Sequence, residues 1–171
     1  MKWIDYFLPD ELLGSVTMLD TEKAWEDGIR VILFDIDNTL VPYDVPVADE
    51  ALSRYLLSLR ERGFSIAFVS NNHSDRVDQF NEAFGFFSIS NARKPSTAAV
   101  RRALTHFGAE PRELLVVGDQ LLTDVLAARR TGCAVIAVEP IKKKESLFFS
   151  FKRMLEKPLK KAYEKRRSER K

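Results

Sequence analysis

Five short apolar runs recur along this chain: Val31 to Phe34, Ser65 to Val69, Phe86 to Ile89, Leu114 to Val117 and Ala134 to Val138. Each has the length of a strand, and each is apolar at consecutive rather than alternate positions. A strand that is apolar on both faces must be covered on both, as in a parallel sheet flanked by helices. The stretches between the runs can supply that cover. Ala51, Leu52, Tyr55, Leu56 and Leu59, then Val77, Phe80 and Phe84, then Ala99, Val100, Ala103, Leu104 and Phe107 fall at helical spacing. Gly63, Gly85, Gly108 and Gly132 stand where helical patterns stop, the place for a left-handed C-cap. The alternation predicts an α/β fold, a three-layer, doubly wound, Rossmann-like parallel sheet of about five strands. The intervals between the first three runs hold one helix each, so the fold is expected to be capless, with no inserted domain.

A chain of 171 residues, 45% hydrophobic, is long enough for one such domain and too apolar for disorder. No apolar run approaches the roughly 18 residues of a membrane span. The start, MKWIDYFLPDELLG, is broken by Asp5, Asp10 and Glu11 and lacks the apolar core of a secretory signal. The lone Cys133 excludes an intrachain disulfide and a cysteine zinc cluster. These features predict a cytoplasmic protein. The expected division is an N-terminal segment over 1–27, a catalytic domain over 28–141 and a C-terminal tail over 142–171. In the first segment Trp3, Ile4, Tyr6, Phe7 and Leu8 need burial, and Pro9, Asp10 and Glu11 suggest a helix start near Pro9. His73 reads as a residue at a helix start, and His106 and Cys133 as structural.

In a doubly wound sheet, functional residues collect at the carboxyl ends of the strands. After the first run comes Asp35-Ile36-Asp37-Asn38-Thr39-Leu40, after the second Ser70-Asn71-Asn72, and after the fourth Gly118-Asp119-Gln120-Leu121-Leu122-Thr123-Asp124. Before the fourth helical stretch stands Lys94-Pro95, with Pro95 placed to open the helix. Two carboxylates two residues apart at the end of a buried strand are costly unless a cation or a reaction uses them. Mg²⁺ takes hard oxygen ligands, which Asp35 and Asp119 can provide. Lys94 and the Ser70 hydroxyl can stabilise a phosphoryl group in transfer, with the Asn71 amide beside them. Asp35 can attack phosphorus to give an aspartyl-phosphate, and Asp37 can protonate the leaving oxygen and then deprotonate a water. A phosphoacceptor receiver domain also joins acids and a lysine on such a sheet. Its acceptor aspartate follows the third strand, however, where this chain has Ser90-Asn91.

These four segments, in this order, resemble the motifs of the haloacid dehalogenase (HAD) superfamily of phosphatases. Within it the chain is similar to the subclass IIIA YqeG family, including Phe7-Leu8-Pro9-Asp10 and Gly28-Ile29, with the resemblance covering roughly residues 7 to 140. The resemblance implies Asp35 as nucleophile, Asp37 as general acid/base, and Ser70 and Lys94 as phosphoryl binders. It further implies a Mg²⁺ site made by Asp35, the backbone carbonyl of Asp37, and Asp119, with Asp124 orienting the metal's waters.

The net charge of +2 argues against a general nucleic-acid or membrane binder, but it averages two opposed parts. Residues 142–171 hold 13 Lys+Arg and 4 Glu, a net of +9, while residues 1–141 carry −7. The tail is also amphipathic, with Leu147, Phe148, Phe151, Met154, Leu155, Leu159 and Tyr163 at helical spacing and Pro158 expected to kink or divide the helix. Such a segment suits the surface of an anionic membrane, or its apolar stripe packs on the domain. A capless site suits a phosphate carried by something large. The YqeG family resembles, at superfamily level, phosphatases that act on phosphatidylglycerophosphate. The expected activity is therefore a Mg²⁺-dependent phosphomonoester hydrolase with that lipid as preferred substrate, in peripheral contact with the inner membrane surface. The alternatives are a phosphatase of a nucleotide, sugar phosphate or phosphoprotein, and an RNA- or ribosome-associated binding module that uses the basic tail.

Overall fold

Strand β2 (Val31–Asp35) is the axis of the molecule, buried along its whole length and paired in parallel on both sides. The structure, a computed structural model, describes residues 3–142 and a helix over 147–169, in which side chains are described at 156–166 and 168. In chain order the elements are β1 (Glu11–Leu13), α1 (Thr21–Glu26), β2, α2 (Glu50–Glu61), β3 (Ser65–Val69), α3 (Ser74–Asn81), β4 (Phe87–Ile89) and α4 (Ala98–Phe107). There follow β5 (Leu114–Gly118), a π-helical turn (Leu121–Val125), α5 (Leu126–Thr131), β6 (Ala134–Val138) and α6 (Leu147–Glu169). The sheet order is β1-β6-β5-β2-β3-β4, parallel throughout. The strand order reverses between β2 and β5, which puts a crevice at their carboxyl ends.

Consecutive residues of the central strands serve opposite layers. Ile32, Phe34, Ile66 and Phe68 face a core shared with Leu56 and Leu59 of α2 and Val77 and Phe80 of α3. Val31, Leu33, Ala67 and Val69 face a second core with Ala99 and Ala103 of α4 and Ala127 and Ala128 of α5. The first layer is aromatic, with the Phe68 ring centroid 5.1 Å from that of Phe80 and 5.6 Å from that of Phe84. The second is lined by alanines, so its helices can lie close to the sheet. The alternation of covered strands and helices read from the sequence is therefore present, with helix C-caps at Gly108 (φ 61°) and Gly132 (φ 77°) in the left-handed conformation. Between Val41 and Lys94 the chain adds α2, β3, α3 and β4, and no inserted domain.

The sheet has six strands rather than five, and the sixth comes from the N-terminal segment. The expected helix near Pro9 is instead edge strand β1, whose Glu11, Leu12 and Leu13 register with Ile136, Ala137 and Val138. Asp10, read as a helix-start acid, is what pins this edge. Its backbone N–H donates to Val135 O at 2.8 Å, its carboxylate accepts the Val135 N–H at 2.8 Å, and Arg129 pairs with it at 2.7 Å. Leu8, Leu13, Val16, Leu19 and Ala24 are buried, so the segment belongs to the core. Of its apolar cluster, Ile4 and Phe7 pack on the second layer, whereas Trp3 stays 73% exposed. At the other end, α6 runs undivided through Pro158. Its Leu159 is buried in the alanine layer, and the Tyr163 hydroxyl accepts the Leu12 N–H of β1 at 3.1 Å. The side chains of Leu147, Phe148, Phe151, Met154 and Leu155 lie outside the described residues. No described helix is long and apolar enough to cross a membrane.

Candidate active site

Asp35 is the last residue of β2, and the chain turns sharply after it. The N–H groups of Thr39, Leu40 and Val41 all converge on the carbonyl of Ile36, at 2.9–3.3 Å, and Asn38 takes a positive φ of 66° that an asparagine tolerates. This tight loop returns the Thr39 hydroxyl to Asp35, where it donates to Oδ2 at 2.8 Å. Lys94 reaches the same carboxylate from the far side of the crevice, with Nζ 2.5 Å from Asp35 Oδ1 and 2.6 Å from Asp124 Oδ1. The lysine side chain is 4% exposed and those of Asp35 and Asp124 are 8% and 1% exposed, so this is a fully interior ion cluster.

Two local devices place its members. The first is Asn71, whose Oδ1 accepts the Lys94 backbone N–H at 2.7 Å while its Nδ2 donates to the Lys94 carbonyl at 3.3 Å. The amide expected to touch substrate is thus engaged in holding the backbone that carries the lysine. Pro95 lies in a turn ahead of α4, which opens three residues later at Ala98. The second device is the π turn after β5. Its wider winding returns Asp124 toward Gly118, where a Cβ on the glycine would come within 2.6 Å of Asp124 Cβ. Glycine at 118 is therefore what lets Asp124 approach Asp119.

Asp35, Asp119 and Asp124 each offer a carboxylate oxygen, and these atoms lie within 4.8 Å of one another. Burial, followed by the nearby Asp124 charge, pushes the Asp35 pKa up to about 7 against the pull of Lys94. Asp119 is raised well above the usual carboxylate range, first by burial and then by Asp35 and Asp124. Burial works to lower the Lys94 pKa, but Asp124 and Asp35 outweigh it and hold the ammonium above its ordinary value. One lysine against three buried carboxylates leaves negative charge uncompensated. Among the described residues Asp119 Oδ1 is buried without a hydrogen-bond partner, an arrangement that costs free energy unless a cation completes it. Hard oxygen donors in a group of this size fit a small divalent ion.

Asp37 sits outside this cluster, its side chain 15% exposed. Its Oδ2 accepts from the Ser70 hydroxyl at 3.1 Å and from Asn72 Nδ2 at 3.4 Å, and its Oδ1 from Arg76 at 3.1 Å. Arg76 also donates to the carbonyls of Val45 and Pro46, tying α3 to the loop before α2. The structure thus brings Asp35, Lys94, Asp119 and Asp124 together, with Asp37 and Ser70 adjoining them as a pair. Sequence reasoning gave no role to Thr39 or Arg76, and read Asn72 only as an amide donor in the Ser70-Asn71-Asn72 loop. Thr39 lies inside the first motif, and only the tightness of the loop could have singled it out, whereas Arg76 has no local signal. His73 stands at the N-cap of α3 without a side-chain cap bond, and His106 stacks on Phe87 with ring centroids 3.8 Å apart.

Comparison with known proteins agrees with this architecture. The HAD-hydrolase-like family matches residues 91–146, the part that carries Lys94, Asp119 and Asp124. The chain is 37% identical over 151 residues to the probable phosphatase YqeG of Bacillus subtilis, covering 88% of each protein. It is 26% identical to phosphatidylglycerophosphate phosphatase 1, chloroplastic/mitochondrial, of Arabidopsis thaliana, over 84% of this chain but only 44% of that relative. Among solved structures, a HAD superfamily (subfamily III A) hydrolase from Legionella pneumophila superposes with a TM-score of 0.55 at 19% identity, over 71% of this chain and 70% of that one. At that identity the likeness is one of fold.

Proposed function

This chain belongs to the YqeG family of HAD-type phosphatases, phosphoric monoester hydrolases, and from that premise we propose that it hydrolyses a phosphomonoester through an aspartyl-phosphate on Asp35. The observation that carries the reading is the buried cluster itself, with a carboxylate at the strand end, a lysine against it, and an unpartnered Asp119 oxygen beside both. Asp35, Asp119 and Asp124, with the Asp37 carbonyl, are the groups that would hold Mg²⁺. That ion, when bound, supplies charge neutralisation for the carboxylates and the phosphoryl oxygens.

The chain's own residues perform the rest. Lys94, fixed through Asn71, holds the phosphoryl group by its charge, and the Ser70 hydroxyl donates to an equatorial oxygen. The Asp35 carboxylate attacks phosphorus as the ester oxygen leaves, and protonated Asp37 gives that oxygen its proton. The Asp37 carboxylate then takes a proton from a water that attacks the acyl phosphate. Inorganic phosphate departs, and Asp35 and Asp37 return to their starting states. Thr39 steadies Asp35 by donating to Oδ2 throughout.

Phosphatidylglycerophosphate is the substrate that best suits this molecule. No inserted domain covers the crevice, so the site can accept a phosphate on a bulky carrier. The inner face of α6 is docked through Leu159 and Tyr163, while Lys157, Lys161 and Lys165, four residues apart, form an exposed basic stripe. Such a stripe attracts an anionic bilayer at about 1 kcal/mol per residue near the surface. The named activity of the Arabidopsis relative supports the same choice. Vesicles containing phosphatidylglycerophosphate should release phosphate with wild type and Mg²⁺, and not with Asp35→Asn or with the metal chelated. Turnover of p-nitrophenyl phosphate or a sugar phosphate without turnover of the lipid would move the substrate to a soluble monoester. Salt-dependent RNA binding with no phosphatase activity on any of these substrates would sink the catalytic reading.

A further inference from the structure

The C-terminal helix enters the site through one residue. Glu156 of α6 is 6% exposed, and its Oε1 accepts the Leu122 N–H at 3.2 Å, across 34 residues of chain. The neighbouring Leu121 N–H also favours the charged form of this carboxylate, lowering its pKa against the push of burial. These two N–H groups open the π turn that carries Asp124. The first N–H groups of a helical segment have no partner within it and need an acceptor from elsewhere. Asp124 Oδ2 accepts the Gln120 N–H at 3.2 Å and the Thr123 hydroxyl at 3.5 Å, whereas the Leu122 N–H takes its acceptor from α6.

Glu156 is itself held fast. On the same helix Leu159 is buried, Lys160 pairs with Glu139 at 2.9 Å, Tyr163 accepts from Leu12, and Arg166 pairs with Asp5 at 2.5 Å. Its carboxylate also adds a like charge beside Asp119 and Asp124. A helix docked for packing alone would avoid that cost by placing an apolar residue here.

We infer that Glu156 is a positioning residue for the cation-binding loop: by accepting the Leu122 N–H from across 34 residues it fixes the turn over 119–124 so that Asp119 and Asp124 face Asp35. The basic tail is then a working part of the catalytic domain. The inference rests on the reading that these three aspartates hold a divalent ion.

The test separates reach from charge. Glu156→Asp keeps the charge but withdraws the acceptor by one methylene, while Glu156→Gln keeps the reach and loses the charge. Amide exchange at Leu121 and Leu122 and calorimetric Mg²⁺ affinity are measured on the full chain, with Lys160→Ala as a control that cuts an outer contact of the same helix. Glu156→Asp and Glu156→Ala should speed exchange and weaken Mg²⁺ binding by about tenfold, the worth of a hydrogen bond to a charged acceptor. Glu156→Gln should stay within about threefold of wild type, and Lys160→Ala should match it. Should Glu156→Ala fail to fold, the Asp and Gln variants decide alone. Unchanged exchange and affinity in Glu156→Asp, equal impairment in Glu156→Gln, or equal impairment in Lys160→Ala would overturn the inference. A wild type that binds no Mg²⁺ overturns the cation reading with it, whereas binding that Glu156→Asp leaves untouched overturns this inference alone.

Discussion

The two halves of the site are built on opposite electrostatic plans. Inside, Asp35, Asp119 and Asp124 share one lysine, and a carboxylate oxygen is left without a partner. At the rim, Asp37 has one guanidinium, one hydroxyl and one amide directed at its two oxygens. The interior half is short of positive charge, as suits the cation site proposed for it. The rim half is satisfied and partly solvated, as suits the proton-transfer role proposed for Asp37. On that reading burial alone does not mark the reacting residues, because its cost is concentrated where a cation can offset it.

Breaking the interior half should have the largest effect. Lys94→Ala removes the only described cation paired with Asp35 and Asp124, and loss of one partner of a buried ion pair typically costs about 3–5 kcal/mol. Denaturant unfolding of the metal-free variant should show that loss, Mg²⁺ should restore part of it, and turnover should vanish. Full stability in this variant would mean that the cluster is far less ionised than its geometry implies.

At the rim the effect should fall on chemistry and not on folding. Asp37→Asn should lower turnover of an alkyl phosphate about 10²- to 10⁴-fold. Turnover of p-nitrophenyl phosphate, whose leaving group needs little help from an acid, should suffer much less. Equal losses on both substrates would assign Asp37 to binding rather than to proton transfer.

The pH dependence of metal binding should separate the halves further. The Asp35 pKa is raised to about 7, so below that pH the folded protein holds a proton that a cation must displace. Mg²⁺ affinity should therefore fall as pH drops below 7, by up to about tenfold per unit for the proton displaced from Asp35. Calorimetric titrations from acid to alkaline pH read this directly, and a flat profile would show that Asp35 stays ionised. The smallest effect is expected for Arg76→Ala, about tenfold in turnover with stability nearly unchanged, since the arginine orients Asp37 from a partly exposed position. A collapse in stability would instead make Arg76 chiefly a clamp between α3 and the loop at Val45 and Pro46.

Most of this architecture could be read from the chain because it is written in contiguous stretches. The core strands announce themselves as unbroken apolar runs, with Asp35 closing one of them and Ser70, Lys94 and Asp119 each in a loop at the crevice. What escaped was relational. β1 is three residues long, Glu-Leu-Leu, and becomes a strand only because β6 lies beside it and Asp10 is hydrogen-bonded to Val135. Asn71 reads as a substrate ligand because its type and place allow it, and only the folded chain shows its two hydrogen bonds to the Lys94 backbone. Arg76 and Glu156 act across gaps of 39 and 34 residues on Asp37 and Leu122, distances at which a single sequence carries no pairing signal.

The position of β1 at the sheet edge also sets the timing of assembly. Within the sheet it is made before every other strand, yet its neighbour β6 is made after all the others. At a synthesis rate of about 5–20 residues per second, that wait is on the order of ten seconds. Until then Leu13 lacks Ile136 and Val138 of β6, with which it shares a core in the finished molecule, and its apolar surface is uncovered on that side. The N-terminal segment is thus where a chaperone would find this protein unfinished, and the closing of its edge marks the moment at which the sheet is complete.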